Sequence, residues 1–326
     1  METSLPKNTT KSRSQPTERL TATRVVQSRQ NAHTPVAPPP TVSGRWLLKA
    51  VAISVAGAAI CCWCVFCLLF WQGSWQLLYH PSSKITQTPA AAGLHFDPVA
   101  FAATETGTTR LAGWWIPAGP QAAFSGYTVL YLHGQDGNLG DTVNSLAELH
   151  AAGVNVLAFD YRGYGQSQFV RPSEAHWRVD AGWALRYLTG TRQIAPASIV
   201  LDGEGLGADL ALEVAAAHSE LAGVVLREPI VDPVRAIFDD PRARLVPARL
   251  LVRDRYDLDA PAAKLRIPSL LFLSSGANAG SDREPAAYQR VSTRKMLVWL
   301  GAESDAKKQF ADALARWMGD LPGKPQ

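Results

Sequence analysis

The stretch Ile199-Val200-Leu201-Asp202-Gly203-Glu204-Gly205-Leu206-Gly207-Ala208-Asp209-Leu210 decides the fold. It opens on Ile199–Leu201, a short aliphatic run that reads as a buried strand. The strand runs into a turn punctuated by Gly203, Gly205 and Gly207. Leu206–His218 follows, apolar and Ala-rich, and reads as a buried helix. The alternation recurs outward in both directions. Tyr127–Leu132 and Val154–Phe159 read as strands upstream, and Leu221–Leu226, Ser269–Leu273 and Lys295–Leu300 downstream. Ala175–Leu188 has helical spacing behind the start signal Pro172-Ser173-Glu174, and Ala306–Met318 reads as a last helix. Strands alternating with helices over this length predict an α/β fold with a mostly parallel central sheet and helices on both faces. Ligands of such sheets bind beyond the carboxyl ends of the strands, so function is sought in the loops that follow them.

Working back to the N-terminus, Ala50–Trp71 contains no charged residue and no proline. At ~1.5 Å per residue this run spans about 33 Å, enough for a ~30 Å hydrocarbon layer. Trp46 and Lys49 mark its near end and Trp71 and Trp75 its far end, as interfacial residues do. The run is too long for the apolar region of a cleaved signal peptide, and some 45 residues precede it. Residues 45–75 therefore read as one transmembrane helix with interfacial flanks, and residues 76–326 as the α/β domain. Residues 1–44 are rich in Ser, Thr, Gln, Arg and Pro, and read as a disordered basic tail.

The formal net charge of +4 is unevenly placed: residues 1–49 carry eight Lys/Arg against two acids, which leaves −2 for the rest. The excess of positive charge before the span predicts a cytoplasmic N-terminus and an extracytoplasmic domain, periplasmic if the bilayer is a bacterial inner membrane. The basic balance belongs to the tail, so nothing points to a nucleic-acid partner. All four cysteines, Cys61, Cys62, Cys64 and Cys67, fall within the apolar run. They read as small apolar side chains, with acylation open to one near the interface; an uncharged helix offers no polar partners to orient the ligands of a metal. The domain itself has no cysteine, so it needs no disulfide.

Several loops carry a resemblance. Leu132-His133-Gly134-Gln135-Asp136-Gly137-Asn138-Leu139 and Phe159-Asp160-Tyr161-Arg162-Gly163-Tyr164-Gly165-Gln166-Ser167 resemble two loops of the Bem46/FrsA-like α/β hydrolases. Pro172-Ser173-Glu174 with Ala184–Leu188, the stretch Ala248–Asp257, and Leu78-Tyr79-His80-Pro81 are similar to other parts of that group. The ordered set covers roughly residues 76 to 318. It implies an α/β-hydrolase fold and a serine hydrolase acting on esters, amides or small acyl groups, with no cofactor and no metal.

The resemblance also locates the catalytic triad. Its nucleophile sits on a strand-to-helix turn of pattern G-x-S-x-G. Here the frame glycines are Gly203 and Gly207, and the serine position holds Gly205. No Ser, Thr or Cys occurs from Ile199 to His218. The acid position, after Ser269–Leu273, falls on Ala279, with Asp282 three residues on. The histidine position, after the last strand, falls on Ser304, and none of the seven histidines lies in residues 219–326. Glycine has no atom to attack with, and a hydroxyl needs a base within hydrogen-bond reach. Glycine does adopt the strained angles of the elbow without a Cβ clash.

The oxyanion-hole positions map to Gln135 and Leu206, whose N–H groups are expected to face one pocket at a helix N-terminus and to favour an anion such as a carboxylate. A retained ligand pocket and a relic kept for packing both remain open. Glu204 is expected to point away from the pocket, His133 to be scaffold, Asp160 and Arg162 to pin their own turn, Asp209 to cap the first helical turn, and Trp114-Trp115 to pack on the sheet. Two functions compete. One is an inactive hydrolase homologue that binds a small acyl or carboxylate ligand, or scaffolds a partner, while anchored through Ala50–Trp71. The other is an active acyl hydrolase with a rearranged site drawing on Asp282, Glu204 or His133.

Overall fold

A computed structural model describes residues 42–107, 110–274, 284–301 and 303–322. The basic tail, apart from its last three residues, therefore lies outside the described residues, as do Ala279 and Asp282. Helix α1 runs from Gly44 to Gly73, and with its 3-10 continuation to Leu77 it is long and apolar enough to cross a membrane. The chain falls into two compact units, residues 1–56 and 57–326. The second half of α1 thus belongs with the α/β body, where Phe70 is buried and Phe66 and Cys67 pack on the core.

The body contains strands β1 (His80–Pro81), β2 (Asp97–Ala102), β3 (Arg110–Ile116), β4 (Thr128–Leu132), β5 (Asp136–Gly137), β6 (Asn155–Phe159), β7 (Ile199–Glu204), β8 (Gly223–Arg227), β9 (Ser269–Ser274) and β10 (Lys295–Leu300). The helices are α2 (Val143–Ala151), α3 (Glu174–Arg186), α4 (Leu206–Ala217), α5 (Arg235–Asp239), α6 (Ala248–Leu251), α7 (Asp259–Lys264), α8 (Ala286–Gln289) and α9 (Glu303–Gly319). Among the described residues, eight strands form one sheet in the order β10-β9-β8-β7-β4-β6-β3-β2. The strands from β10 to β6 pair in parallel, while β3 and β2 add an antiparallel edge. The short β1 and β5 pair separately, in parallel.

The period-two alternation of side chains splits the core into two layers. Leu130, Leu132, Leu157, Leu201, Leu226 and Leu271 face the layer of α3 and α4. Val129, Tyr131, Val156, Val200, Val225 and Phe272 face the other, with Phe310, Leu314 and Trp317 of α9. Burial of both faces is what a parallel sheet requires and is why its strands read as continuous apolar runs. Trp114 and Trp115 obey the same alternation. Trp114 packs edge-on against Phe96, and Trp115 lies under the Arg192 guanidinium at 4.2 Å.

Strand β7 is longer than its aliphatic run predicts, because Asp202 and Glu204 find partners instead of ending it. Asp202 accepts from Arg227 Nε at 2.8 Å, and Glu204 accepts from Tyr131 Oη at 2.8 Å. The register places Leu132 beside Gly203 and Glu204 beside Arg227. The loops after β4, β7 and β8 therefore emerge together at the carboxyl edge of the sheet.

Candidate functional site

The turn between β7 and α4 is a sharp elbow. Gly205 has φ 58° and ψ −125°, a conformation that L side chains resist. Its N–H donates to the Arg227 carbonyl at 2.9 Å, and its carbonyl accepts from Ala208 N at 3.0 Å. The frame glycines are fixed by close approach. A Cβ on Gly203 would lie 2.2 Å from the Gly207 carbonyl oxygen, and one on Gly207 would lie 2.1 Å from that of Leu132. At Gly205 the space is freer: the nearest atom to an added Cβ is Gln135 Oε1, at 3.3 Å.

Gln135 turns its side chain onto the elbow. Its Oε1 accepts the Leu206 N–H at 3.3 Å, so the donor expected to face a ligand is occupied by the chain's own carboxamide. Gln135 Nε2 donates to Asp136 Oδ2 at 2.9 Å, and Asp136 Oδ1 lies 2.7 Å from His80 Nδ1. Tyr164 Oη and His80 N both donate to the Gln135 carbonyl, at 2.9 Å each, which fixes the backbone from which the side chain springs. Sequence reading placed His80 in a motif but not at the site. The β1–β5 pairing, His80 beside Asp136, brings it there across more than fifty residues.

Of the three positions that the resemblance assigns to the triad, Gly205 occupies the elbow and Ser304 stands in the first turn of α9. Ala279, at the acid position, is outside the described residues. Among the described residues no group of three or more His, Cys, Asp or Glu side chains could hold a metal ion.

The other candidates separate by face. Glu204 continues the Val200-Asp202 side of β7, toward α2, and accepts from Ser145 Oγ at 3.0 Å and Tyr131 Oη at 2.8 Å. The nearby Arg227 guanidinium and these hydroxyls hold its carboxyl below the usual range despite burial. His133 is fully buried among Tyr161, Tyr164 and Trp177. Its Nδ1 donates to the Gly134 carbonyl at 2.8 Å, and burial pulls its pKa down to about 4. The ring is therefore neutral, and its 3.7 Å approach to Asp160 is not an ion pair. Asp160 accepts the Leu139 N–H at 2.9 Å and bonds the backbone of Gln166, so it ties two loops together; burial pushes its pKa up to about 7. Arg162 reaches beyond its own turn: its Nε and its backbone N donate to Asp180 of α3 at 2.6 and 2.9 Å.

Asp209 does not cap α4. Its buried carboxyl accepts from Tyr288 Oη at 3.3 Å and from the Ile230 N–H, and its Oδ2 has no partner. Burial raises its pKa well above the carboxylate range. Glu228, which sequence reading passed over, follows β8 with φ 48° and accepts from Ser274 Oγ at the end of β9. Its carboxyl is raised by burial. The signal was its place: a carboxylate directly after a strand, in the class of loop where ligands bind.

Three comparisons bear on this arrangement. A family model described as serine aminopeptidase, S33, matches residues 126–258. The uncharacterized protein Rv2307c of Mycobacterium tuberculosis is 32% identical over 221 residues, covering 67% of this chain and 74% of that protein. The uncharacterized protein YfhR of Salmonella typhi is 28% identical over 245 residues, covering 70% of this chain and 80% of that protein. Among solved structures, the Pyrococcus furiosus esterase Pf2001 superposes with a TM-score of 0.57 at 18% identity, covering 76% of this chain and 98% of that one. An alpha-beta hydrolase from Vibrio vulnificus gives 0.56 at 22% identity, covering 70% and 82%. At these identities the structures speak for the fold alone.

Proposed function

The chain belongs to the serine aminopeptidase (S33)-like family of α/β hydrolases, and from that premise we propose that it is a membrane-anchored member without hydrolytic activity, binding a small acyl or carboxylate ligand at the elbow or scaffolding a partner. One observation carries this reading: the elbow keeps its strained backbone around Gly205 while offering no atom that can attack. The sequence adds that no histidine follows residue 218, where the chain order of the triad requires the base. Fold and chemistry are separate claims, and a binding role needs only the pocket. The ordered loop motifs support placing the chain in the Bem46/FrsA-like branch.

The test is a fluorophosphonate probe on the purified full-length chain. No labelled serine is expected, and a specific adduct on a single serine refutes the proposal. The length and apolar character of α1 support anchoring, and the charge of residues 1–49 supports a cytoplasmic N-terminus with the domain outside a bacterial inner membrane. A C-terminal alkaline phosphatase fusion should be active in cells; an inactive fusion reverses the orientation.

A second reading, an active acyl hydrolase with a rearranged site, now rests on His80 and Asp136 rather than on His133 or Glu204, which are engaged elsewhere. It requires turnover of short acyl esters that disappears in His80→Ala.

A further inference from the structure

We propose that the segment Pro241–Leu251 is a membrane contact, seated where the headgroups of an anionic bilayer meet its acyl chains, with Leu245 and Leu250 toward the acyl chains. The proposal rests on the reading of α1 as membrane-embedded and assigns the adjoining part of the body a lipid partner of its own.

The depth of the segment is set by one hydrogen bond. Trp63 Nε1 donates to the Leu245 carbonyl at 2.9 Å. Trp63 lies eight residues before Trp71, about 12 Å back along a helix axis. The segment is therefore held beside the apolar part of α1, below its outer end. The same face of α1 and of its 3-10 continuation turns to the body: Phe66 and Cys67 pack on the core, and Phe70 and Ser74 are buried, while Leu68 and Leu69 remain exposed.

The segment's own residues match that position. Leu245 is 64% exposed and Leu250 is 82% exposed, two large apolar side chains that water disfavours and acyl chains accept. Residues 235–255 carry six arginines against three aspartates, a net positive island on a domain that is otherwise negative. Arg242 is paired with Asp240 at 2.8 Å, and Arg249 lies 5.3 Å from the Phe238 ring. Arginines beside exposed leucines keep their charge at the phosphate level while their stems cover apolar surface. A cavity of about 240 Å³ between this segment and α1 is lined by Phe66, Leu69, Phe70, Leu77 and Arg242, apolar walls with one guanidinium. A second loop flanks the same end of α1. Its Phe169 is 76% exposed, and Arg171 donates to the Trp71 carbonyl at 2.8 Å.

The experiment uses the full chain with its four cysteines replaced by alanine and one cysteine returned at a time, labelled with bimane, in vesicles of phosphatidylcholine and phosphatidylglycerol. Leu250→Cys reports the segment, Ile60→Cys reports α1, and Lys307→Cys is the aqueous reference. The Ile60 probe should be quenched by lipids carrying a deep nitroxide. The Leu250 probe should be quenched by a shallow nitroxide and protected several-fold from iodide relative to the Lys307 probe. Adding Arg244→Glu and Arg249→Glu should weaken the shallow quenching in phosphatidylglycerol vesicles. An unquenched Ile60 probe removes the anchor reading and this proposal with it. A quenched Ile60 probe beside a Leu250 probe open to iodide overturns this proposal alone. A Leu250 probe shielded from both quenchers also overturns it, because protein, such as a second copy of the chain, then covers the segment.

Discussion

The Gln135 carboxamide oxygen accepts the Leu206 N–H at 3.3 Å, and it stands equally far from where a Cβ on Gly205 would be. One side chain thus occupies the N-terminal end of α4 and roofs the space a side chain on Gly205 would enter. A carboxylate entering the elbow has to displace it, losing one neutral hydrogen bond and gaining one to an ionised group.

Gln135→Ala should therefore tighten binding of a short carboxylate such as butyrate by about three- to tenfold, the worth of one neutral hydrogen bond no longer competing. Isothermal titration of the purified full-length protein and the variant measures it. Unchanged or weaker affinity would mean that no ligand enters at this end of the helix.

Gly205→Ser should create no esterase, because it supplies a hydroxyl without a base in reach. It should also cost stability, on the order of 1–3 kcal/mol, since a Cβ is forced into φ 58° and ψ −125° beside Gln135. Thermal unfolding and p-nitrophenyl acetate turnover read the two effects separately. Turnover in this single variant would reveal a base at the elbow, with His80 the first to examine.

Asp209→Asn should stabilise the protein increasingly as pH rises. Burial raises the folded-state pKa of Asp209, so the folded chain holds its proton more tightly than the unfolded chain, whose carboxyl titrates near ~3.9. Above that pH the unfolded state loses its proton first, and stability falls until the folded pKa is passed. Asparagine keeps an acceptor for Tyr288 and has no proton to lose. The Tm of the variant should match that of the parent near pH 4 and exceed it by a widening margin toward pH 8. A margin that is flat with pH would show that Asp209 is ionised in the fold.

Arg227→Leu should cost about 3–5 kcal/mol, because it leaves Asp202 buried and unpaired. The double variant Asp202→Leu/Arg227→Leu should recover part of that loss, since Asp202 is then no longer buried alone, while Glu204 still lacks its guanidinium. Urea unfolding of the two variants decides. Equal losses would mean that Arg227 acts mainly through its packing on Tyr131 and Phe310.

How much was legible depended on how local the cause was. The strands and helices could be read because burial on both faces of a parallel sheet writes itself as apolar runs, and capping as Ser173 before Glu174, where Ser173 Oγ indeed accepts the His176 N–H. Strand β7 was read short because the partners of Asp202 and Glu204 lie on other strands. Asp209 looked like a cap by its place in the first turn, but its side chain bonds to Ile230 and Tyr288, neighbours that only folding supplies.

The sequence alone determined that the strand-to-helix turn bears Gly205 where the G-x-S-x-G pattern has serine, that no histidine follows residue 218, and that Ala50–Trp71 carries no charged residue. These are statements of composition at a position, and no fold can change them. Folding, and nothing in the order of residues, brings Gln135 onto Leu206, His80 to Asp136, and Trp63 to Leu245. Each of these contacts joins residues more than fifty positions apart. Periodicity and spacing carry no signal at that range, because it is the crossing of strands and loops, not the order of residues, that sets which polar groups come within 3.5 Å of each other.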